Sequence, residues 1–213
     1  MCRCNSGVRF GPLRKETDVL LVIDMQNDFC PGGSLGVPGG DEIVHIVNRL
    51  AHGFQHVVLT QDWHPPGHLS FASSHAGKQP FEMTEMPYGP QTLWPDHCIQ
   101  NTGGAAFHGG LDIPHAELIL RKGFRKAIDS YSAFFENDRK TPTGLGGYLK
   151  ERGFTHATVI GLAFDYCVRY SAEDARALGF DTDVIEAACR AIDVNGSADA
   201  TRQSFAERGI VLA

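Results

Sequence analysis

The chain's 213 residues are enough for one domain that buries roughly 70 % of its unfolded surface, and 42 % hydrophobic against 21 % charged residues excludes a disordered or fibrous protein. Nineteen Lys plus Arg against 25 Asp plus Glu leave a net charge of -6, without the basic excess that phosphate backbones attract, which argues against nucleic acid as a partner. The apolar run Val19 to Ile23 is far shorter than the ~20 residues that cross a bilayer, so no membrane partner is expected either.

Residues 1–17 carry Arg3, Arg9, Arg14 and Lys15 but no apolar core of a secretory signal, and read as a flexible extension. Residues 18–213 read as one domain with no internal repeat and no linker. The six cysteines, Cys2, Cys4, Cys30, Cys98, Cys167 and Cys189, are scattered through a chain large enough to need no disulfides. They are expected as reduced thiols of a cytoplasmic protein.

From Asp18 onward short apolar runs alternate with stretches of helical period, the pattern of a parallel sheet with helices on both faces. The predicted strands are Val19 to Asp24, His56 to Thr60, Glu117 to Arg121, His156 to Leu162, Thr182 to Glu186 and Ile210 to Leu212. Each reads as a continuous apolar run, as strands covered on both faces should. The predicted helices are Asp41 to His52, Gly144 to Arg152, Asp165 to Leu178 and Ser197 to Arg208, each followed closely by glycine. The fold class expected is therefore α/β, a single doubly wound domain with a six-stranded, mostly parallel sheet. Residues 63–115 form the one long irregular stretch, which holds His64, His68, His75, His97, His108 and His115. Long loops of that kind are commonly functional.

Ligands of open α/β sheets bind beyond the carboxyl ends of the strands, so the polar residues ending each run are the ones to weigh. These are Asp24, Asp62, Lys122 and the segment Gly161 to Cys167. Cys167 opens the helix after the fourth strand, where helix N-H groups favour an anion and are expected to lower a thiol pKa. No histidine ends an adjacent strand, so Asp24 is the candidate base and Lys122 the balancing charge. The backbone amides of Ala163 and Cys167 are candidates to hold an oxyanion. Asp62 and His64, two apart, leave one strand together, and with His97 they make a three-sided set for a divalent cation. A mixed oxygen and nitrogen set suits Zn2+, Fe2+, Mn2+ or Ni2+, with zinc favoured by ligand type. His68 and His75 rank behind these as ligands.

The segments Val22 to Phe29, Gln61 to Pro65, Trp94 to Cys98, Arg121 to Gly123 and Gly161 to Val168 resemble those of the nicotinamidases, also called pyrazinamidases, in the isochorismatase-like cysteine hydrolase superfamily. They occur in the family order, and the resemblance spans Asp18 to the C-terminus. It implies a catalytic triad of Asp24, Lys122 and Cys167, metal ligands Asp62, His64 and His97, and a cis Leu162–Ala163 peptide. It also implies a flat pocket walled by Phe29, Trp94, Leu162, Tyr131 and Tyr166. The implied activity is hydrolysis of nicotinamide to nicotinate and ammonia through a cysteine thioester, in NAD salvage. A homo-oligomer is compatible with the sequence. The rival readings are an N-carbamoyl amidase or isochorismatase-like hydrolase of the same superfamily, and a noncatalytic metal- or thiol-binding protein. The metal set separates the nicotinamidases from the other superfamily enzymes.

Overall fold

The computed structural model describes residues 15–213. All but the last three residues of the expected extension, together with Cys2 and Cys4, lie outside the described residues. The other four cysteines are free and buried. Among the described residues, no helix is long and apolar enough to cross a membrane.

In chain order the strands are β1 (Asp18–Ile23), β2 (His56–Asp62), β3 (Met83–Met86), β4 (Gly89–Thr92), β5 (Leu118–Lys122), β6 (His156–Leu162), β7 (Asp181–Arg190) and β8 (Val211–Leu212). The helices are α1 (Val44–Ala51), α2 (Leu145–Glu151), α3 (Arg169–Ala177) and α4 (Ser197–Arg208). Six strands form one sheet in the order β5-β2-β1-β6-β7-β8, and every pairing in it is parallel. Strand order reverses beside β1, between the β2–β5 side and the β6–β7–β8 side. The crevice for a ligand belongs at that point.

The central strands are apolar because both their faces are covered. All six residues of β1 are buried, and each Val, Leu or Ile there contributes roughly 1.5–3 kcal/mol by leaving water. β2 and β6 are buried from their second residue onward. The outer strands depart from the expected continuous burial. β5 is an edge strand whose side chains alternate in exposure, and both residues of β8 are exposed. β7 runs past the expected Glu186 to Arg190, with a register shift opposite Val159 to Gly161. The expected helix from Asp165 is divided into a wide turn of π type, Phe164–Val168, and α3 from Arg169. Residues 63–115 are not bare loop. β3 and β4 form an antiparallel hairpin, and isolated bridges join His64 to Ile99 and Phe71 to Trp94.

Register then delivers the site. Asp62 pairs with Lys122 at the ends of β2 and β5, and Ile23 pairs with Gly161. A Cβ on Gly161 would sit 2.2 Å from the Ile23 carbonyl oxygen, so only glycine lets β6 come this close to the end of β1.

Candidate active site

Lys122 lies at the centre. It is 1 % exposed, and its ammonium reaches every group that ends the neighbouring strands. Nζ donates to Asp62 Oδ1 at 2.5 Å, to the Ser130 carbonyl at 2.9 Å and toward Cys167 Sγ at 3.4 Å. It lies 2.8 Å from Asp24 Oδ2 as an ion pair, in a direction that leaves that oxygen without a hydrogen bond. Asp24 is held from its other side, where the Thr60 hydroxyl donates to Oδ1 at 2.6 Å and accepts the Asp24 N-H at 3.1 Å. Its backbone is left-handed, with φ 47°, a cost of order 1–3 kcal/mol that a non-glycine residue carries where surrounding structure imposes it.

Burial decides the protonation states. It pushes the Cys167 thiol up, and the Asp24 and Asp62 carboxylates add to this, so the thiol sits well above its ordinary range although Lys122 pulls it down. The expected lowering of the thiol is therefore corrected: the α-helix begins only at Arg169, and burial with the Asp24 and Asp62 charges outweighs the pull of Lys122. Burial also raises Asp24, against the pull of Lys122. Lys122 loses some basicity to burial, but Asp24 and Asp62 more than restore it and hold it charged. Burial thus leaves a thiol beside an Asp24 side chain of enhanced basicity and a fixed ammonium.

Asp62, His64 and His97 offer ligand atoms within 4.8 Å of one another, all buried. His64 donates from Nδ1 to the Gly123 carbonyl at 2.9 Å, and His97 is 2.8 Å from the Pro95 carbonyl through its own Nδ1. Both Nε2 lone pairs are thereby left to face Asp62 Oδ2, at 3.5 and 3.9 Å. Nε2 of His64 is buried without any hydrogen-bond partner. An orphaned imidazole nitrogen, oriented by a carbonyl on its far side, is what a metal ligand requires. Burial and the neighbouring His64 push His97 down to about 4, which keeps its ring neutral and able to donate a lone pair. His68 does not share this arrangement. Its Nε2 faces the carbonyls of Arg125 and Ile128, and its Nδ1 is engaged by Ser70. His75 is likewise occupied by the Leu69 carbonyl.

A narrow cavity opens between the two groups. Phe29, Trp94, Tyr131 and Tyr166 line it as expected, with Ala163, Cys167, Asp62 and His97 at its end. Leu162 is not among the lining residues. Its side chain is fully buried, close to Gly40. The Leu162–Ala163 peptide is cis. Tyr166 and Val168 donate N-H to the Ala163 carbonyl, and the Cys167 N-H between them takes no part in those bonds.

The isochorismatase domain model matches residues 18–213. A nicotinamidase of Acinetobacter baylyi is 53 % identical over 90 % of this chain and 89 % of its own length. The chain belongs to the isochorismatase family, on its nicotinamidase branch. A solved nicotinamidase/pyrazinamidase from Acinetobacter baumannii superposes with a TM-score of 0.93 at 54 % identity, over 93 % of this chain and 96 % of that one. The pyrazinamidase of Pyrococcus horikoshii, solved in complex with zinc, has a TM-score of 0.75 at 32 % identity, over 92 % of this chain and 98 % of that one.

Within this family frame the structure adds residues that sequence reasoning passed over. The Gln26 amide clamps the Asp62 backbone at two points, accepting its N-H at 2.8 Å and donating to its carbonyl at 2.8 Å. Asp28 accepts the Cys98 N-H at 2.7 Å, beside His97. Asp165 holds Ile192 and Asp193 through their N-H groups, and so sets the loop that brings Ile192 to the cavity. Leu35 and Asp129 also line it. Gln26 and Asp28 follow Asp24 at alternate positions of one segment, a signal that period-two reading was able to find. Asp129 and Ile192 sit in loops with no local pattern.

Proposed function

We propose that this protein is a nicotinamidase, hydrolysing nicotinamide and pyrazinamide to the corresponding acid and ammonia through an acyl-cysteine, with Asp24, Lys122 and Cys167 as its catalytic groups. The carrying observation is that one buried ammonium, Lys122, touches the base, the nucleophile and Asp62 directly behind an aromatic-walled cavity that Asp62 and Cys167 line. The carboxylate of Asp24 takes the thiol proton, and Cys167 Sγ attacks the carboxamide carbon. The Ala163 and Cys167 amides receive the oxyanion, a contact worth roughly 3–4 kcal/mol where one such donor is removed elsewhere. Asp24 returns the proton to the amide nitrogen, and the carbon–nitrogen bond breaks to release ammonia. Water then attacks the thioester as Asp24 takes its proton, and collapse releases the acid and restores the thiol. Lys122 keeps its charge throughout and balances the thiolate and carboxylate in turn.

Asp62, His64 and His97 would hold a divalent ion, and the bound ion would supply a Lewis-acid anchor for the ring nitrogen. Zinc suits this donor set, and the zinc-bound pyrazinamidase supports that choice. The four walls orient a flat ring so that its carboxamide meets Cys167. Buried, free cysteines suit a cytoplasmic enzyme of NAD salvage. The test is release of ammonia and nicotinate in equal amounts from nicotinamide, with bound metal counted by elemental analysis. Equal release supports the reading; no release from metal-loaded protein refutes it.

A further inference from the structure

The three aromatic side chains that wall the cavity on one side touch one another at right angles. Trp94 lies 4.8 Å from Tyr166 and 6.0 Å from Tyr131, and the two tyrosines are 5.6 Å apart, centroid to centroid. The groups packed behind such a cluster set its spacing. Two of the rings, Tyr131 and Trp94, have partners on or beside the β3–β4 hairpin. The Gln91 amide donates to the Tyr131 hydroxyl at 2.7 Å. The Phe81 ring stands edge-on to Trp94 at 5.9 Å.

Gln91 is the centre of this brace. The hairpin faces water at Met83, Glu85 and Pro90, yet Gln91 is fully buried. Its Nε2 shares its two hydrogens between the Tyr131 hydroxyl, the Thr92 carbonyl at 2.7 Å and, at the longer 3.1 Å, Asp129 Oδ2, and its Oε1 accepts from Asn137 at 3.0 Å and Tyr88 at 3.1 Å. Asn137 in turn accepts the Tyr131 backbone N-H at 3.0 Å. Tyr131 is thus gripped at both ends, by Asn137 at its backbone and by Gln91 and Trp94 Nε1 at its hydroxyl. A buried amide with all its groups paired is costly to move, so the ring it holds is fixed with it.

Resting on the proposed function, we infer that the β3–β4 hairpin, acting through Gln91, sets the width of the aromatic pocket and decides which ring sizes are accepted. Gln91 is a positioning residue, since it touches the wall and not the reacting atoms. Without it Tyr131 keeps only Trp94 as hydroxyl partner and swings, and the pocket admits a larger flat carboxamide.

The test compares nicotinamide with quinoline-3-carboxamide, which carries the same nitrogen and carboxamide on a fused, wider ring. For Gln91→Met, and separately for Phe81→Ala, which frees Trp94 on its hairpin side, the ratio of kcat/KM for the wide substrate to that for nicotinamide should rise about tenfold over the unaltered protein, the scale of discrimination by a close-packed pocket. Alkylation of Cys167 by iodoacetamide should stay within about twofold, because the reacting groups are untouched. A merely structural role lowers both substrates together and leaves the ratio unchanged. An unchanged ratio in Phe81→Ala overturns the inference even if Gln91→Met fails to fold. If the unaltered protein leaves nicotinamide intact, the proposed function falls, an outcome distinct from a failure confined to the variants.

Discussion

Replacing Asp24 by Asn removes the base while keeping nearly everything else in place. Asn tolerates the left-handed backbone at φ 47° as well as any residue but glycine. Its carbonyl oxygen still accepts the Thr60 hydroxyl, but its NH2 now faces the Lys122 ammonium across a 2.8 Å gap. Two donors in contact cost about 1–3 kcal/mol, or roughly 2–12 °C in Tm for a domain of this size. The protein stays folded at ordinary temperature. Turnover should nevertheless fall by about 10²- to 10⁴-fold, the contribution of a positioned base, equivalent to about 3–5 kcal/mol on the barrier. Thiol chemistry should move the opposite way. The Asp24 charge pushes the Cys167 thiol up while Lys122 pulls it down, so the neutral Asn side chain leaves Lys122 the stronger influence. The pH midpoint for alkylation of Cys167 by iodoacetamide should therefore shift to lower pH as nicotinamide turnover collapses. Turnover within about tenfold of the unaltered protein, or an alkylation midpoint displaced to higher pH, would refute the assignment of Asp24 as base.

Lys122→Met leaves the Asp24 and Asp62 carboxylates without their shared cation, and breaking a buried pair of this kind costs about 3–5 kcal/mol. A melt in chelator should drop by roughly 6–20 °C. Because the folded state then raises the carboxylate pKa values, the deficit should shrink as pH falls and grow as it rises; a pH-independent loss below a few degrees contradicts the ion-pair account. Gly123→Ala addresses the metal ligands. Its φ is +66°, and the added Cβ would lie 2.5 Å from His64 Cε1, displacing the ring whose Nδ1 the Gly123 carbonyl orients. Metal affinity measured against a chromogenic chelator should weaken about 10- to 100-fold, and unchanged affinity would remove His64 from the ligand set.

What the sequence made legible follows from where local pattern reports burial. β1, β2 and β6 were visible because continuous β-branched and leucine runs are what two-sided burial selects, and their polar ends marked Asp24, Asp62 and Cys167. The β3–β4 hairpin was invisible because Met-Thr-Glu-Met and Gly-Pro-Gln-Thr carry neither alternation nor β-branched density, and its buried Gln91 takes its partners Asp129, Tyr131 and Asn137 from a distant part of the chain. The direction of the Cys167 shift was misjudged for a related reason. A helix start is local and can be read from residues, whereas full burial between Asp24, Asp62 and Lys122 arises from four separate strand ends. Lys122 as bridge between the base and Asp62 was beyond reach for the same reason, since register across β2 and β5 creates it.

The claim on which all of this depends is that Cys167 carries the acyl group. Protein quenched in acid during turnover of nicotinamide and digested for mass spectrometry should show a nicotinoyl thioester on the peptide containing Cys167. Cys167→Ala should fold, retain its metal and release no nicotinate. Turnover above a few per cent in that variant, or an acyl group found on any other residue, would contradict the account.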